Sequence, residues 1–97
     1  IDMLSMFVEM TEPLISKLGD AGRQQDVLEI RELAHSLTGS ARSAGAVKMG
    51  DIAYDLQALA ERGQFSEELI EQTNELFEDV KAHVNALTAV TVSGTSG

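Results

Sequence analysis

The sequence predicts an all-α protein, an antiparallel bundle of four helices. Apolar residues recur every three or four positions along almost the whole chain, and no stretch shows the strict alternation typical of a half-buried strand. Glycine-containing breaks divide this pattern into four amphipathic segments with short connections, which favours antiparallel packing. The 97 residues suffice for one hydrophobic core, so a single domain is expected.

The first two segments are separated by a glycine-rich break. Segment one is predicted over about residues 2–18 and contains Pro13, which either kinks the helix or begins a new one. It is expected to stop in Gly19-Asp20-Ala21-Gly22. Segment two begins near Asp26, a plausible N-cap, and ends at Gly45. Its buried stripe is predicted from alternating spacings of four and three: Ile30, Ala34, Leu37, Ala41 and Ala44.

The second half of the chain carries two further helical patterns. Segment three ends at Arg62-Gly63, and its apolar positions are Met49, Ile52, Ala53, Leu56 and Leu59. Segment four begins at Ser66 and has coiled-coil-like spacing at Leu69, Thr73, Leu76, Val80, Val84 and Leu87. Residues 1–90 are predicted to form the domain, and residues 91–97 a flexible tail or linker. The four methionines, Met3, Met6, Met10 and Met49, are predicted to be core and near-core filler rather than a ligand set.

The composition argues against several classes of partner. Sixteen acidic side chains against 7 basic ones give a formal net charge of −9, and nucleic-acid-binding domains are usually basic, so no nucleic acid is expected. The absence of cysteine excludes disulfides and thiolate zinc sites. No apolar run approaches the roughly 20 residues that span a bilayer, so no membrane contact is expected. No metal site is predicted either.

His35 stands out in segment two. At about 100° per residue, its imidazole falls roughly 140° from the apolar stripe, on the solvent side. Gly39 follows one turn later, and a glycine inside a helix costs about 1 kcal/mol relative to alanine. Its presence beside an exposed imidazole indicates that something approaches the ring closely. The helical wheel places these residues around the histidine: Leu28, Arg31, Thr38, Gly39 and Arg42.

The charge around His35 differs from that of the rest of the chain. Between Leu33 and Gly50 there are two basic residues, Arg42 and Lys48, and no acidic one. Such a local field stabilises an anion that is bound to, or carried by, the imidazole. A neutral surface imidazole is a competent nucleophile near pH 7. A phosphoryl group on His35 is therefore the natural candidate.

This segment resembles the signature of histidine-containing phosphotransfer (HPt) domains of bacterial and plant phosphorelays. The matching residues are His35, Leu37, Gly39, Ser40, Ala41, Gly45 and Ala46, and Met49, Ala53 and Leu56 continue the match. The departure is Thr38, where the family usually carries lysine. Its hydroxyl would donate a hydrogen bond to a phosphate oxygen without adding charge, and Arg42 is expected to supply the missing cation.

The resemblance implies that His35 accepts a phosphoryl group from the aspartate of one response-regulator receiver domain and passes it to another. The receiver then brings the Mg²⁺, while this domain binds no cofactor and has no kinase activity of its own. Gly39 leaves space for the receiver loops, and Gly45 ends or bends the helix. Phosphoryl-stabilising or docking roles fall to Thr38, Gly39, Arg42, Arg31 and Leu28. A cytoplasmic monomer is expected, either stand-alone or tethered within a hybrid sensor histidine kinase.

Two alternatives stay open. One is the phospho-accepting domain of a chemotaxis-type histidine kinase, which takes phosphate from the ATP-binding domain of its own protein. The other is an inactive HPt-like docking module, for which Thr38 is the sequence support. An ordinary enzyme is not supported, because the sequence offers no general-base pair, nucleophile elbow, phosphate loop or metal set.

Overall fold

A computed structural model describes the backbone of residues 3–96 and the side chains of residues 5–87. In this part of the chain the helices are α1 (Met3–Arg23), α2 (Val27–Ser43), α3 (Val47–Glu61) and α4 (Glu67–Ser96). Helix α2 packs against α1 and α3, and α4 packs against the same two helices. Connections of three to five residues make successive helices antiparallel. The predicted fold class, an all-α four-helix bundle, is confirmed.

Helix α1 passes through the glycine-rich segment that was expected to end it. The predicted stop at Gly19-Asp20-Ala21-Gly22 is wrong, because the helix continues to Arg23. Gly22 is buried, and a Cβ added there would lie 2.9 Å from Cδ1 of Ile70 in α4. Glycine thus permits a close approach of α1 to α4, and packing outweighs its low helix propensity. Pro13 lies inside this single helix and does not begin a new one.

Helix α2 begins and ends where its capping residues predict. The N–H of Glu29 donates to the Asp26 carboxylate at 3.2 Å, which satisfies a backbone group that the first turn leaves unpaired. At the other end, Gly45 has a φ of +83°. The N–H of Ala46 donates to the carbonyl of Ala41 at 2.8 Å. This Schellman arrangement closes the helix within a residue or two of the predicted end.

The core lies between the inward faces of the four helices. Most of the predicted α2 and α3 stripe is fully buried: Ile30, Ala34, Leu37, Ala41, Met49, Ala53 and Leu56. In α4, Thr73 and Val84 are buried as predicted, while Leu87 is exposed. The predicted stripes omit several buried residues, among them Leu18, Leu33 and Phe77. Phe77 lies within an acidic run of α4, and such a run is typical of an exposed helix face.

The methionines do not form one group. Met49 is buried, but Met6 is 50% exposed and Met10 is 68% exposed. The prediction of core or near-core positions is wrong for these two, and the side chain of Met3 lies outside the described residues. Residues four apart share one face of a helix, so Met6 and Met10 give α1 an apolar patch on its outer surface.

Helix α4 extends to Ser96, so residues 91–96, which the sequence assigned to a tail, are helical. The division of the chain at residue 90 stays a prediction. Lys81 of α4 binds the carboxylate of Glu12 in α1 at 2.5 Å. That hydrogen bond and the charge of Glu12 raise the pKa of Lys81 above its ordinary value. Among the described residues, no helix has the length and apolar content needed to cross a membrane.

The connection between α1 and α2 contains a strained residue. Gln25 has a φ of +56°, and no other non-glycine residue of the described chain has a positive φ. It occupies the same position after its helix as Gly45 and Gly63 do after theirs. Because the left-handed region costs an L-residue about 1 kcal/mol, we expect Gln25→Gly to raise the free energy of unfolding by about 1 kcal/mol.

Urea denaturation of the wild type and the variant measures this difference. Gln24→Gly is the matched control, since residue 24 has no positive φ and glycine there only adds freedom to the unfolded chain. The control is expected to be less stable than the wild type. If the free energy of unfolding of Gln25→Gly falls below that of the wild type, as it should for the control, the expectation is contradicted.

Candidate functional site

His35 lies on the exposed face of α2, as the helical wheel predicts. Its ring contacts α3, where the amide nitrogen of Gln57 lies 3.2 Å from imidazole Nδ1. Gln57 contacts Nδ1 and leaves Nε2 as the ring nitrogen that can face a partner. The sequence does not predict this contact, since it depends on the register between two helices.

The orientation of the Gln57 amide is coupled to the tautomer of the His35 ring. A neutral imidazole has a proton on one nitrogen and a lone pair on the other, and only the second is nucleophilic. With the amide nitrogen facing Nδ1, as the structure has it, the amide N–H donates to Nδ1 and Nε2 carries the proton. Nε2 has the lone pair when the amide oxygen faces Nδ1 and accepts the hydrogen bond of Nδ1–H. A half-turn of the amide group exchanges its oxygen and nitrogen at this contact. Gln57 is therefore able to hold the ring in the tautomer that reacts through Nε2.

An open groove of about 700 Å³ adjoins His35 on the side of α1. Its α1 wall consists of the exposed Met6 and Met10 and the buried Phe7 and Thr11. The Thr11 hydroxyl has no hydrogen-bond partner among the described residues. The α2 wall consists of His35, Ser36, Gly39, Ser40, Ser43 and Ala44. Methionine adapts to varied partner shapes, so the groove offers an apolar docking surface beside the imidazole.

Gly39 lies in the wall of this groove, one turn from His35. A Cβ at Gly39 would meet no heavy atom within 4 Å, so the packing of the domain itself does not require glycine there. Gly50 differs, because a Cβ there would lie 3.0 Å from Cγ of Arg42. Gly50 thus serves the packing of α2 on α3, while Gly39 keeps open a space outside the domain.

Thr38 does not share the exposed face with His35. The residue is only 6% exposed, and its hydroxyl donates to the carbonyl of Ala34 at 2.7 Å. The prediction of an exposed hydroxyl donor is wrong, because position 38 lies one turn after Ala34, at the centre of the buried stripe. The hydroxyl proton is thus committed within the helix and is not directed to a phosphoryl group.

Three other predicted site residues, Leu28, Arg31 and Gly45, lie outside the walls of the groove. Leu28 is exposed, and Arg31 pairs with Glu32 at 3.4 Å. Neither of them lines the groove. Gly45 ends α2 as predicted. Their roles toward a phosphoryl group or a partner stay predictions.

Arg42 is turned toward α3. Its guanidinium lies 5.2 Å from the ring centroid of Tyr54 and 3.8 Å from the carboxylate of Asp51. The sequence did not predict roles for Tyr54 and Gln57, although residues three apart on α3 share a helix face. The structure thus places a row of polar α3 side chains beside the face of α2 that carries His35 and Arg42.

A four-helix bundle with an exposed histidine on its second helix, a glycine one turn later and an adjacent groove defines the class of this protein. The Hpt domain profile matches residues 2–89, and the chain therefore belongs to the Hpt domain family. The predicted family is confirmed, and with it a role in phosphotransfer relays of two-component signalling. Domains of this family interact with receiver domains.

A solved structure agrees with this assignment. The chain is similar to the crystal structure of histidine-containing phosphotransfer protein B (HptB) from Pseudomonas aeruginosa PAO1, with a TM-score of 0.81 and 30% sequence identity. The similarity covers 87% of this chain and 75% of that chain. Among curated proteins, none matches the sequence.

Proposed function

We propose that this domain is a phosphorelay intermediate. In the proposal, His35 accepts a phosphoryl group from the aspartate of one receiver domain and passes it to the aspartate of another. The observation that carries the proposal is the setting of His35: an exposed imidazole whose Nδ1 contacts Gln57 at 3.2 Å, next to the unfilled space at Gly39. The domain acts as a cytoplasmic monomer, either alone or tethered within a hybrid kinase.

The chemistry needs one nucleophile from this chain. Nε2 attacks the phosphorus of the phosphoaspartate, the N–P bond forms, and the P–O bond to the aspartate breaks. The carboxylate leaves with the bonding electron pair, and the Nδ1 proton stays on the ring, where the amide oxygen of Gln57, after a half-turn of the amide group, accepts its hydrogen bond. The receiver supplies the Mg²⁺ that neutralises the phosphoryl oxygens. Transfer to the second receiver is the same reaction in reverse.

The groove between α1 and α2 is the docking surface in this proposal. Met6 and Met10 are exposed beside His35, and buried apolar contacts at the centre of an interface contribute most of its affinity. The space at Gly39 admits the receiver loops that carry the phosphoaspartate. Attack on phosphorus requires the reacting atoms to come within about 3–3.5 Å, which a side chain at residue 39 would obstruct.

Replacing Gln57 tests the positioning of the ring. We expect Gln57→Met to slow phosphoryl transfer to His35 by roughly threefold to tenfold, because a neutral hydrogen bond contributes about 0.5–1.5 kcal/mol. The ¹⁵N chemical shifts of the imidazole should show a larger fraction of the Nε2–H tautomer in the variant. Unchanged shifts together with an unchanged rate would contradict a positioning role for Gln57.

The function is tested by incubating the domain with a panel of phosphorylated receiver domains and Mg²⁺. We expect label on the wild-type domain that is stable in base and lost in acid, as for a phosphohistidine. If no receiver transfers label but a chemotaxis-type kinase domain with ATP does, the domain is a kinase substrate domain instead. Failure with both donors would overturn the proposal and leave an inactive docking module.

A further inference from the structure

A second exposed surface adjoins His35 on the side opposite the groove, along the contact of α2 with α3. We name Arg42, Asp51 and Tyr54 the arginine cluster. The Arg42 side chain is 52% exposed, and Tyr54 is 51% exposed. Their contact places a cation over an aromatic face at 5.2 Å, a geometry that favours a fixed orientation of the guanidinium plane.

The arginine cluster lies within the footprint of a partner seated on His35. On α2, Arg42 follows His35 by two turns, about 10 Å along the axis, and Gly39 between them carries no side chain. On α3, Tyr54 lies one turn before Gln57, which contacts the imidazole. Since α2 and α3 are antiparallel, Arg42 lies beside Tyr54 just as His35 lies beside Gln57. Both pairs lie along the exposed contact between the two helices. A receiver that covers His35 therefore also covers Arg42.

The charge of such a partner complements Arg42. A site that holds Mg²⁺ beside a phosphoaspartate requires carboxylates as metal ligands, so its rim is acidic. This chain has a net charge of −9, and the overall field opposes that approach. Arg42 is one of two basic residues between Leu33 and Gly50. The planar guanidinium is also the group best suited to bind a carboxylate through two hydrogen bonds.

Asp51 holds Arg42 only loosely. The closest nitrogen-to-oxygen distance is 3.8 Å, beyond the range of a hydrogen bond, and both side chains are more than half exposed. An exposed pair of this kind contributes little to stability. The guanidinium N–H donors that face Asp51 are thus available to a better placed carboxylate.

We propose that Arg42 is a docking residue that binds a carboxylate on the rim of the receiver's phosphorylation site. Tyr54 orients the guanidinium, and Asp51 takes the place of that carboxylate in the free domain. The inference rests on the proposed function. Asp51 then competes with the receiver's carboxylate for the Arg42 guanidinium. Removing the charge of Asp51 therefore strengthens the docking of the receiver.

A double-mutant cycle on phosphoryl transfer tests this. Using a phosphorylated receiver that labels the wild type, kcat/KM is measured for wild type, Arg42→Gln, Asp51→Asn and the double variant. We expect Arg42→Gln to lower kcat/KM by about tenfold through KM. Asp51→Asn should raise it by about threefold in the wild type and leave it unchanged in the Arg42→Gln background. Arg42→Lys should give an intermediate loss, because it keeps the charge without the planar fork.

The pair Arg23 and Asp20 at the end of α1 is a matched control, since both side chains are exposed and form an ion pair. Arg23→Gln and Asp20→Asn are expected to change kcat/KM by less than about twofold. The inference is overturned if Asp51→Asn acts equally in both backgrounds, or if Arg42→Gln matches Arg23→Gln. Thermal unfolding of each variant separates loss of fold from loss of docking. If no receiver labels the wild type, the proposed function fails and this inference fails with it.

Discussion

The His35→Gln variant is expected to accept no phosphoryl group from any receiver that labels the wild-type domain. The rate should fall at least about a thousandfold, because the phosphoryl group is bonded to this ring and glutamine has no nucleophilic nitrogen. The fold should persist, since the histidine is exposed and surface substitutions change stability by about 0.5 kcal/mol or less. Acid-labile label and thermal unfolding, measured on the same preparations, check both statements.

His83→Gln is the matched control for this experiment. His83 is the second of the two histidines in the chain and is exposed on α4. The control should be labelled as fast as the wild type. Label that persists in His35→Gln, or that disappears in His83→Gln, would show that the phosphoryl group is carried elsewhere.

Substitutions at Gly39 are expected to change the stability of the domain and the rate of phosphoryl transfer independently. Gly39→Ala should raise the free energy of unfolding by about 1 kcal/mol, because alanine favours helix and its Cβ would meet no heavy atom within 4 Å. Gly39→Gln should remain folded but slow transfer from a receiver by about tenfold to a hundredfold, since a misplacement of about 1 Å costs that much in a bimolecular site. Urea denaturation and transfer kinetics measure the two effects.

Gly50→Gln serves as the comparison for these variants. A Cβ at Gly50 would lie 3.0 Å from Cγ of Arg42 and 3.6 Å from Cβ of Ala41, so a long side chain must displace α3 from α2. Overpacking of this kind costs about 1–3 kcal/mol. If Gly39→Gln destabilised the domain as Gly50→Gln does, or transferred at the wild-type rate, the space at Gly39 would have no role in docking.

Local sequence signals predicted the number, order and most of the ends of the helices. Asp26 and Gly45 are capping residues whose backbone geometry follows from their own chemistry. The end of α1 could not be predicted in this way, because Gly22 lies inside the helix against Ile70, which is distant in sequence. Phe77 was missed for a similar reason, since burial depends on which face of α4 meets the other helices.

The candidate site was predictable only along α2. The helical wheel places His35 on the exposed face and Gly39 beside it, because both follow from the period of a single helix. It fails at Thr38, which lies three residues from His35 but also four from the buried Ala34. Gln57 and the two exposed methionines of α1 join the site through helix packing, and the register between helices is not contained in the period of either one.

A relay intermediate both accepts and donates a phosphoryl group. The most direct measurement uses domain labelled on His35 and freed of its donor, mixed with an unphosphorylated receiver and Mg²⁺. We expect the label to leave the domain and to appear on the receiver as an acyl phosphate that is lost in base. Label that stays on the domain with every receiver, or is released only as inorganic phosphate, would contradict a role as a relay intermediate.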